Sequence, residues 1–345
     1  MARIWFEFFL CAGLIGTAGY QLSRWGDVIA QRTGLGGSWI GLTLVAMVTS
    51  LPELATGLTS VTLADAPNLA VGNALGSCVL NLAFLVFVDF LYRDEPVWRR
   101  MAGGHVLAAA FGVILLGFTL SGILVGHLGS ASAHAALARF PVLAIGATTP
   151  VVLMLYLIAM RTVFVYERSH GEAQTESDAA ATDASGPSLH TALLRFAFAG
   201  AVVVGAGLWL PFIASELAAV MGWNRSFVGS LFLSAVTTLP EAAVTLAALR
   251  IGAVDMAIGN LLGSNLFNVT IIALEDLFYR RGPLLAEASL VHTVTAASGI
   301  VMTGLAIVGM FFRPRSRVLR TVGWVSVGLA AVYLFNTSVL FLHGD

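Results

Sequence analysis

The sequence predicts an all-α integral membrane protein with ten transmembrane helices, arranged as two inverted repeats of five helices. Three observations predict this fold: the composition, ten long apolar segments and an internal repeat. Of the 345 residues, 58% are hydrophobic and only 11% are charged, and the mean hydropathy is +0.88. A soluble domain has about 25% charged residues. This chain therefore has too little polar surface to cover a water-facing globule, and its apolar excess must face lipid.

Ten segments are apolar over the roughly 20 residues that a helix needs to cross a bilayer. The first begins after Met1-Ala2-Arg3 and has the basic start of a secretory signal. We interpret it as a span, because its apolar run exceeds a signal's usual length without a convincing cleavage site. The predicted spans are 5–30, 36–64, 67–91, 101–121, 140–164, 191–220, 226–250, 254–279, 286–311 and 319–341.

Arginine positions predict the orientation. If the N-terminus lies outside, 13 arginines fall on the inner side and five on the outer side, and cytoplasmic loops carry the excess of basic residues. We therefore expect both termini outside, in the plasma membrane. The two halves, 1–164 and 191–345, are joined by a polar segment, 165–190, that is expected to be a cytoplasmic linker.

The charges and cysteines exclude several classes of function. Eighteen basic residues balance 19 acidic ones, for a net charge of -1, so there is no basic footprint for nucleic acid. Cys11 and Cys78 lie apart in apolar segments and form no C-x-x-C pair, which indicates neither a disulfide framework nor a zinc site. We expect no cofactor and no nucleic-acid partner; the expected partners are inorganic cations and the lipid bilayer.

The two halves repeat each other in three blocks, at a nearly constant offset. The stretch SWIGLTLVAMVTSLPE at 38–53 recurs as SFVGSLFLSAVTTLPE at 226–241, and GNALGSCVLN at 72–81 recurs as GNLLGSNLFN at 259–268. DFLYR at 89–93 recurs as DLFYR at 276–280. Such self-similarity indicates a duplication. Because each half has five spans, the second copy must be inverted, as in secondary transporters that bind their substrate near the midplane.

Glu53 and Glu241 occupy equivalent positions well inside predicted spans. A charge there costs from about 2.5 to above 10 kcal/mol, so an intramembrane acid indicates function by default. The structural alternative is a protonated glutamate that joins two helices. The duplication of the acid with the same neighbours favours function.

Hydroxyl residues precede each acid by three and four positions. These residues are Thr49 and Ser50 in the first half, and Thr237 and Thr238 in the second. On a continuous helix, both hydroxyls of a pair would lie on the same face as the carboxylate.

A proline directly precedes each acid. Pro52 frees the backbone carbonyl of Val48, and Pro240 frees that of Val236, because proline cannot continue the helical hydrogen bonding. Each segment thus offers a carboxylate, two hydroxyls and a free carbonyl. Ca²⁺ takes six to eight oxygen ligands, so this set suits a hard cation.

The second repeated block adds polar residues at helical i, i+4 spacing. These are Ser77 and Asn81, and their counterparts Ser264 and Asn268. Glycines at small-x-x-x-small spacing in the same block allow helices to approach closely. The alternative interpretation is that these small residues serve packing only.

The motifs TSLPE, TTLPE and the paired G-N-x-x-G-S blocks resemble the α-1 and α-2 repeats of the calcium/cation antiporter superfamily. The architecture resembles the family over essentially the whole chain, and the motifs resemble it over about residues 27–93 and 215–280. The α-1 motif spans about residues 38–81 and the α-2 motif about residues 226–268. This likeness implies alternating-access antiport, with Ca²⁺ moving outward against Na⁺ or H⁺. The resemblance implies that Glu53 and Glu241 are the shared Ca²⁺ ligands, with Thr49 and Thr237 beside them. It also implies flanking sodium sites lined by Ser50, Ser77, Thr238 and Ser264. Asn81 and Asn268 would face the centre.

Some positions depart from the family's pattern. Val48 and Val236 stand where members usually have glycine, and Asn268 stands where many sodium-coupled members have aspartate. With Glu53 and Glu241 alone, the site has a charge of about -2, which one Ca²⁺, two Na⁺ or two H⁺ would neutralise. Three Na⁺ would leave a costly buried charge. Exchange of two monovalent ions for one Ca²⁺ is therefore at least as plausible as three for one.

Three alternatives to a Ca²⁺ antiporter must be weighed against these residues. The nearest is a proton-coupled or alkali-cation exchanger that is not specific for Ca²⁺. A passive cation channel would use the same ligands without a coupling ion. A membrane-embedded hydrolase is disfavoured, because no set of Ser, His and Asp accompanies the two acids.

Further polar residues have weaker signals. His105 and His292 occupy equivalent positions in the two halves, and they either sense protons or cap helix ends. Asp27 and Glu216 are expected to be structural, with ion access as the alternative.

Asp89 and Asp276 lie near predicted span ends. We expect them to pair with Arg93 and Arg280, four residues on. The alternative is that they attract cations at opposite mouths of the protein.

Overall fold

The computed structural model describes residues 1–33, 45–92, 97–99, 103–128, 145–171, 188–314, 317–318 and 322–344. Its described secondary structure is helical apart from a small antiparallel hairpin, β1 (Arg317–Val318) and β2 (Val322–Gly323). The predicted all-α class is thereby confirmed.

The described helices fall into two series along the chain. The first half contains α1 (Ala2–Arg32), α2 (Leu51–Thr62), α3 (Pro67–Leu91), α4 (Gly103–His127) and α5 (Thr148–Gly171). The second half contains α6 (Leu189–Met221), α7 (Arg225–Thr237), α8 (Leu239–Arg250), α9 (Val254–Phe278), the short α10 (Leu284–Glu287), α11 (Val291–Phe312) and α12 (Trp324–His343).

Eight described helices are long and apolar enough to cross a membrane. The pair α7 and α8, bent by 45° at the break between them, gives a ninth when it is counted as one span. The predicted second span, 36–64, lies partly outside the described residues; its described part is a helical turn at 45–49 followed by α2. At the two ends of the predicted linker, 165–190, α5 continues to Gly171 and α6 begins at Leu189. Residues 172–187 lie outside the described part.

Helix boundaries follow from local chemistry. Pro52, Pro67 and Pro240 each lie in a first helical turn, where the missing N–H is not needed. At the start of α6, the Ser188 side chain accepts a hydrogen bond from Thr191 N at 3.2 Å. These signals position the breaks that later carry the candidate site.

The packing places α3 and α9 at the centre. These two helices pack against each other and against most of the remaining helices, whereas α1 packs along α6 at one side. Large apolar side chains such as Phe6, Phe198 and Phe311 remain exposed on the outer helices. In a bilayer such a surface faces lipid, so the polar residues of α3 and α9 lie in the protein interior.

The Asp276 side chain links three segments of the chain. Its carboxylate accepts hydrogen bonds from Leu284 N at 2.6 Å, Gly146 N at 2.7 Å and Thr149 Oγ1 at 2.5 Å. The expected pairing with Arg280 is therefore wrong: the aspartate binds backbone and hydroxyl donors at the start of α5, whose unpaired N–H groups attract an anion.

The Asp89 side chain makes the equivalent hydrogen bonds in the other half. It accepts from Val97 N at 3.2 Å, Gly323 N at 2.6 Å and Ser326 Oγ at 2.6 Å, at the start of α12. Arg93, its expected partner, lies outside the described residues. Each aspartate therefore holds the last spanning helix of the opposite half, and the two halves are tied together reciprocally.

Candidate ion-binding site

Two helix breaks lie at equivalent positions in the two halves. The turn at 45–49 ends at Ser50, whose backbone angles are φ -85° and ψ 12°. The second break occurs at Thr238, with φ -81° and ψ 4°. Glu53 and Glu241 lie in the first turn after these breaks. Both carboxyl groups are thus near helix N-termini, whose partial positive charge favours an anion.

Both acids are completely buried. Glu241 accepts a hydrogen bond from Ser50 Oγ at 2.9 Å, so the Ser50 hydroxyl binds the glutamate of the other half. The prediction that Ser50 shares a helix face with Glu53 is wrong, because the break at Ser50 ends the helical periodicity. Thr49 Oγ1 donates to Ala46 O at 3.0 Å and lies 3.3 Å from Ser264 Oγ.

The second pair of hydroxyls behaves differently. Thr237 Oγ1 donates to Asn73 Oδ1 at 3.0 Å, again across the two halves. Thr238 Oγ1 donates to Ser234 O at 2.6 Å, within its own helix. Ser50 and Thr238 occupy equivalent sequence positions, but only the Ser50 hydroxyl is bonded to a carboxylate.

Two asparagines that the sequence analysis did not single out support the breaks. Asn73 receives the Thr237 hydroxyl, and its counterpart Asn260 has Oδ1 at 3.5 Å from Thr49 Oγ1. Asn260 Nδ2 also donates to the backbone oxygen of Glu241 at 3.3 Å. Both are fully buried. The sequence signal that could have identified them is their repetition, since Asn73 lies in the block 72–81 and Asn260 at the same place in its copy, 259–268.

The central helices cross at another pair of equivalent residues. Asn265 Nδ2 donates to Cys78 O at 3.1 Å, while Cys78 Sγ lies 3.6 Å from Asn265 O. Asn81 Nδ2 donates to Asn265 Oδ1 at 3.1 Å. This contact fixes α3 against α9 and leaves Asn81 Oδ1 without a hydrogen bond in the described part of the chain.

Several buried oxygen atoms of the predicted ligands make no hydrogen bond of standard length and angle among the described residues, although the hydroxyls of Ser77 and Thr237 lie beside the Glu53 carboxyl group. Unpartnered buried polar atoms are rare in folded proteins and costly. A cation bound at the two carboxyl groups would satisfy their free oxygens, and Ca²⁺ takes six to eight oxygen ligands. The oxygen atoms without such a hydrogen bond are Glu53 Oε1 and Oε2, Glu241 Oε2, Ser77 Oγ, Asn81 Oδ1 and Asn268 Oδ1.

The structure also places the remaining predicted polar residues. His105 Nε2 lies 3.2 Å from Asp255 Oδ1, and His292 is fully buried. Glu216 pairs with Arg3 at 2.8 Å, which agrees with a structural role. The expected contribution of the Val48 and Val236 carbonyls remains a prediction.

Comparisons with known proteins show relatives of similar sequence and fold. A protein from Escherichia coli (strain K12), inner membrane protein YrbG, is 26% identical over 254 residues, which cover 71% of this chain and 70% of that protein. The solved structure of an H⁺/Ca²⁺ exchanger, CAX, matches with a TM-score of 0.67 at 16% identity, over 99% of this chain and 82% of that one. The sodium-calcium exchanger NCX_Mj matches with a TM-score of 0.61 at 21% identity, over 98% and 99%.

The two structural likenesses show a shared fold. The family model described as sodium/calcium exchanger protein matches residues 4–100 and 191–339, which is most of the chain and includes both helix breaks. The chain therefore belongs to the sodium/calcium exchanger protein family, within the calcium/cation antiporter superfamily.

Proposed function

We propose that this protein is a secondary active antiporter that exchanges Ca²⁺ for Na⁺ or H⁺ by alternating access. Glu53 and Glu241 are the shared ion ligands. The observation that carries the proposal is the pair of fully buried glutamates, each in the first turn after a helix break at equivalent positions of the two halves. Membership of the family, and the likeness to a sodium-calcium and an H⁺/Ca²⁺ exchanger, support Ca²⁺ as the cargo.

The proposed site draws on both halves. Ser50 from the first half bonds to Glu241 in the second, and Thr237 from the second bonds to Asn73 in the first. A relative movement of the halves would change both contacts. This coupling supports alternating access, since the site cannot stay unchanged while one half moves against the other.

The reciprocal contacts also support ten spans in two inverted repeats. Equivalent residues of the two halves make matching contacts. At the helix breaks, Thr49 contacts Asn260 and Thr237 contacts Asn73. Near the helix ends, Asp89 and Asp276 each accept hydrogen bonds from the opposite half. An inverted duplication explains why each contact pairs one half with the other. We place the protein in the plasma membrane with both termini outside.

The charges of the site suggest its stoichiometry. Two carboxylates carry about -2, which one Ca²⁺ or two monovalent cations neutralise. Asn268, which is neutral and fully buried, adds no third charge. We therefore propose exchange of two Na⁺ or two H⁺ for one Ca²⁺, because a third monovalent ion would leave an uncompensated buried charge.

Gradient-driven uptake of ⁴⁵Ca²⁺ into proteoliposomes tests the proposal. The wild type is compared under an outward Na⁺ gradient, an outward H⁺ gradient and no gradient. We expect rapid uptake with one of the two gradients, which identifies the coupling ion. Glu53→Gln and Glu241→Gln should abolish uptake, whereas Glu216→Gln, a matched change at a partly exposed glutamate, should retain it.

The other outcomes contradict the proposal in distinct ways. Equal uptake without any gradient would indicate a passive channel. Absence of Ca²⁺ uptake under every gradient, together with exchange of Na⁺ for H⁺, would indicate an alkali-cation exchanger. Uptake retained in both glutamine variants would place the ion site elsewhere.

A further inference from the structure

A third buried acid lies outside the central site. Glu275 is in α9, three residues before that helix ends at Phe278, and its side chain is fully buried. Neither carboxyl oxygen has a hydrogen-bond partner in the part of the chain that the structure describes. An acid in this environment requires a ligand or a proton, because an isolated buried carboxylate is very costly.

Gly57 in α2 makes room for this carboxyl group. A Cβ atom at residue 57 would collide with Glu275 Oε1, so the acid fits into a notch that only glycine leaves open. Gly57 follows Glu53 by four residues, which is about 6 Å along a helix. Beyond it, at the surface, Asp65 and Arg281 form an ion pair. Glu275 thus lies between the central acids and the membrane face at which α2 and α9 end, here called the α2–α9 end.

The position equivalent to Glu275 in the first repeat carries no acid. The counterpart of Glu275 in the first repeat is Val88, which is buried in an apolar cluster. The counterpart of Gly57 is Thr245, whose hydroxyl lies 3.5 Å from Asn260 Nδ2. Since the equivalent position packs well with valine, the fold does not require an acid here. The acid makes the two ends of the protein chemically different.

A proton fits this carboxyl group better than a metal ion. A metal cation needs several oxygen ligands, but Gly57 presents no side chain. The hydroxyl of the neighbouring Thr56 faces Gly207 of α6 instead. A proton needs only one carboxyl oxygen and removes the charge completely.

The other titratable side chains near this end contact residues other than Glu275. Asp276 is held by three donors, and the ring of Tyr156 in α5 packs on Phe267. His127 at the end of α4 is bonded to Ile123 O at 2.9 Å. Within the described residues none of them bonds to Glu275. Among the side chains that the structure describes, the remaining titratable or charged residues of the packed elements and their ends are Glu53, Asp65, Cys78, Asp89, Tyr92, His105, Arg161, Tyr166, Glu241, Arg250, Asp255, Tyr279, Arg280, Arg281 and Glu287.

We propose that Glu275 is a proton-binding site, separate from the central acids, that is protonated while the α2–α9 end is closed. When that end opens, water reaches the carboxyl group and the proton leaves. Closing the end therefore takes up one proton from the adjacent solution. Acid on that side should favour the closed state, whereas acid on the other side should not act through Glu275.

Infrared spectroscopy tests protonation without any transport assay. The purified variant Glu53→Gln/Glu241→Gln is compared with the triple variant that adds Glu275→Gln, so that all other carboxyl groups cancel in the difference. We expect the C=O stretch of one protonated carboxyl at neutral pH, unchanged by saturating Ca²⁺. An ionised carboxylate band in its place, or loss of the C=O band on adding Ca²⁺, would overturn the proposal.

A sided transport assay tests the consequence, and this part rests on the proposed antiport. Wild-type exchange should fall more when the α2–α9 side is acidified than when the opposite side is. In Glu275→Gln this difference should be lost, while Glu216→Gln should keep it. Glu275→Val, which copies the equivalent Val88, serves if the glutamine variant does not fold.

Two results distinguish the possible failures. A difference between sides that persists in the Glu275 variant would overturn the role of this residue in transport. No gradient-driven exchange in the wild type would overturn the proposed antiport and leave the infrared result standing.

Discussion

Ser50 and Thr238 show how residues at equivalent sequence positions can have different roles. Both directly precede the Leu-Pro-Glu motif, but Ser50 donates to Glu241 and Thr238 donates to its own helix backbone. A hydrogen bond to a charged group contributes about 1.5–3 kcal/mol. The conformation described here is therefore asymmetric at its centre, although the sequence motif is nearly symmetric.

We predict that Ser50→Ala weakens apparent Ca²⁺ affinity by about tenfold, since about 1.4 kcal/mol corresponds to a factor of ten. Thr238→Ala, which removes only a bond within its helix, should change affinity by about twofold or less. Equilibrium ⁴⁵Ca²⁺ binding to the two purified variants measures the difference. A larger effect of Thr238→Ala would show that the bonding seen here is not the ion-binding one.

At the residue scale, the sequence predicted two intramembrane acids at equivalent positions of a repeat, and both are fully buried in the structure. The hydrogen-bond partners were not predictable. The helix break at Ser50 invalidates the i, i+3 rule that placed this hydroxyl beside Glu53. Asn73 and Asn260 contact residues in the other half, and no local spacing predicts such contacts.

At the element scale, α3 contacts α7 through a glycine. A Cβ atom at Gly76 would lie 2.6 Å from Ser230 Cα and 2.8 Å from Ser230 C. Ser230 belongs to a π-helical segment, Val228–Leu233, that precedes the second break. The sequence predicted close approach at this glycine from its spacing. It did not reveal the π-helical partner, because a change in hydrogen-bond register has no simple residue pattern.

Gly76→Ala is expected to destabilise the protein by about 1–3 kcal/mol, as overpacking of a rigid contact usually does. Gly117→Ala is the matched control, because no atom lies within 4 Å of a Cβ built there. Its stability should be unchanged or slightly higher, since alanine favours helix over glycine. Thermal unfolding in detergent compares the two, and equal midpoints would contradict the close packing of α3 against α7.

At the scale of the whole molecule, Asp89 and Asp276 tie the halves together. The repeat predicted that these residues are equivalent, but not what they bind. Their donors at Gly146 and Gly323 lie outside the repeated motifs, so only the folded chain brings them together. The same holds for Glu275, whose counterpart in the first half is Val88, so no duplicated acid draws attention to it in the sequence.

We expect Asp89→Asn and Asp276→Asn each to lower stability by about 1–3 kcal/mol, because each loses charge-assisted hydrogen bonds. Ca²⁺ affinity should be unaffected in folded protein. Thermal unfolding and ⁴⁵Ca²⁺ binding on the same preparations separate the two effects. Weaker binding with unchanged stability would instead support cation attraction at the mouths.

The charge of the site predicts electroneutral exchange by the whole protein. Two carboxylates balanced by one Ca²⁺ or two monovalent ions move no net charge per cycle. Uptake of ⁴⁵Ca²⁺ should then be independent of a membrane potential imposed with K⁺ and valinomycin. Uptake that follows the imposed potential would show net charge movement and exclude the two-for-one ratio.

The central claim is that one shared site contains both glutamates. Equilibrium binding of ⁴⁵Ca²⁺ to purified protein, titrated with Na⁺ and with H⁺, tests it most directly. We predict one Ca²⁺ per chain, displaced competitively by the coupling ion and lost in both Glu53→Gln and Glu241→Gln, with Glu216→Gln as the unaffected control. Full-affinity binding in either glutamine variant would contradict the shared site.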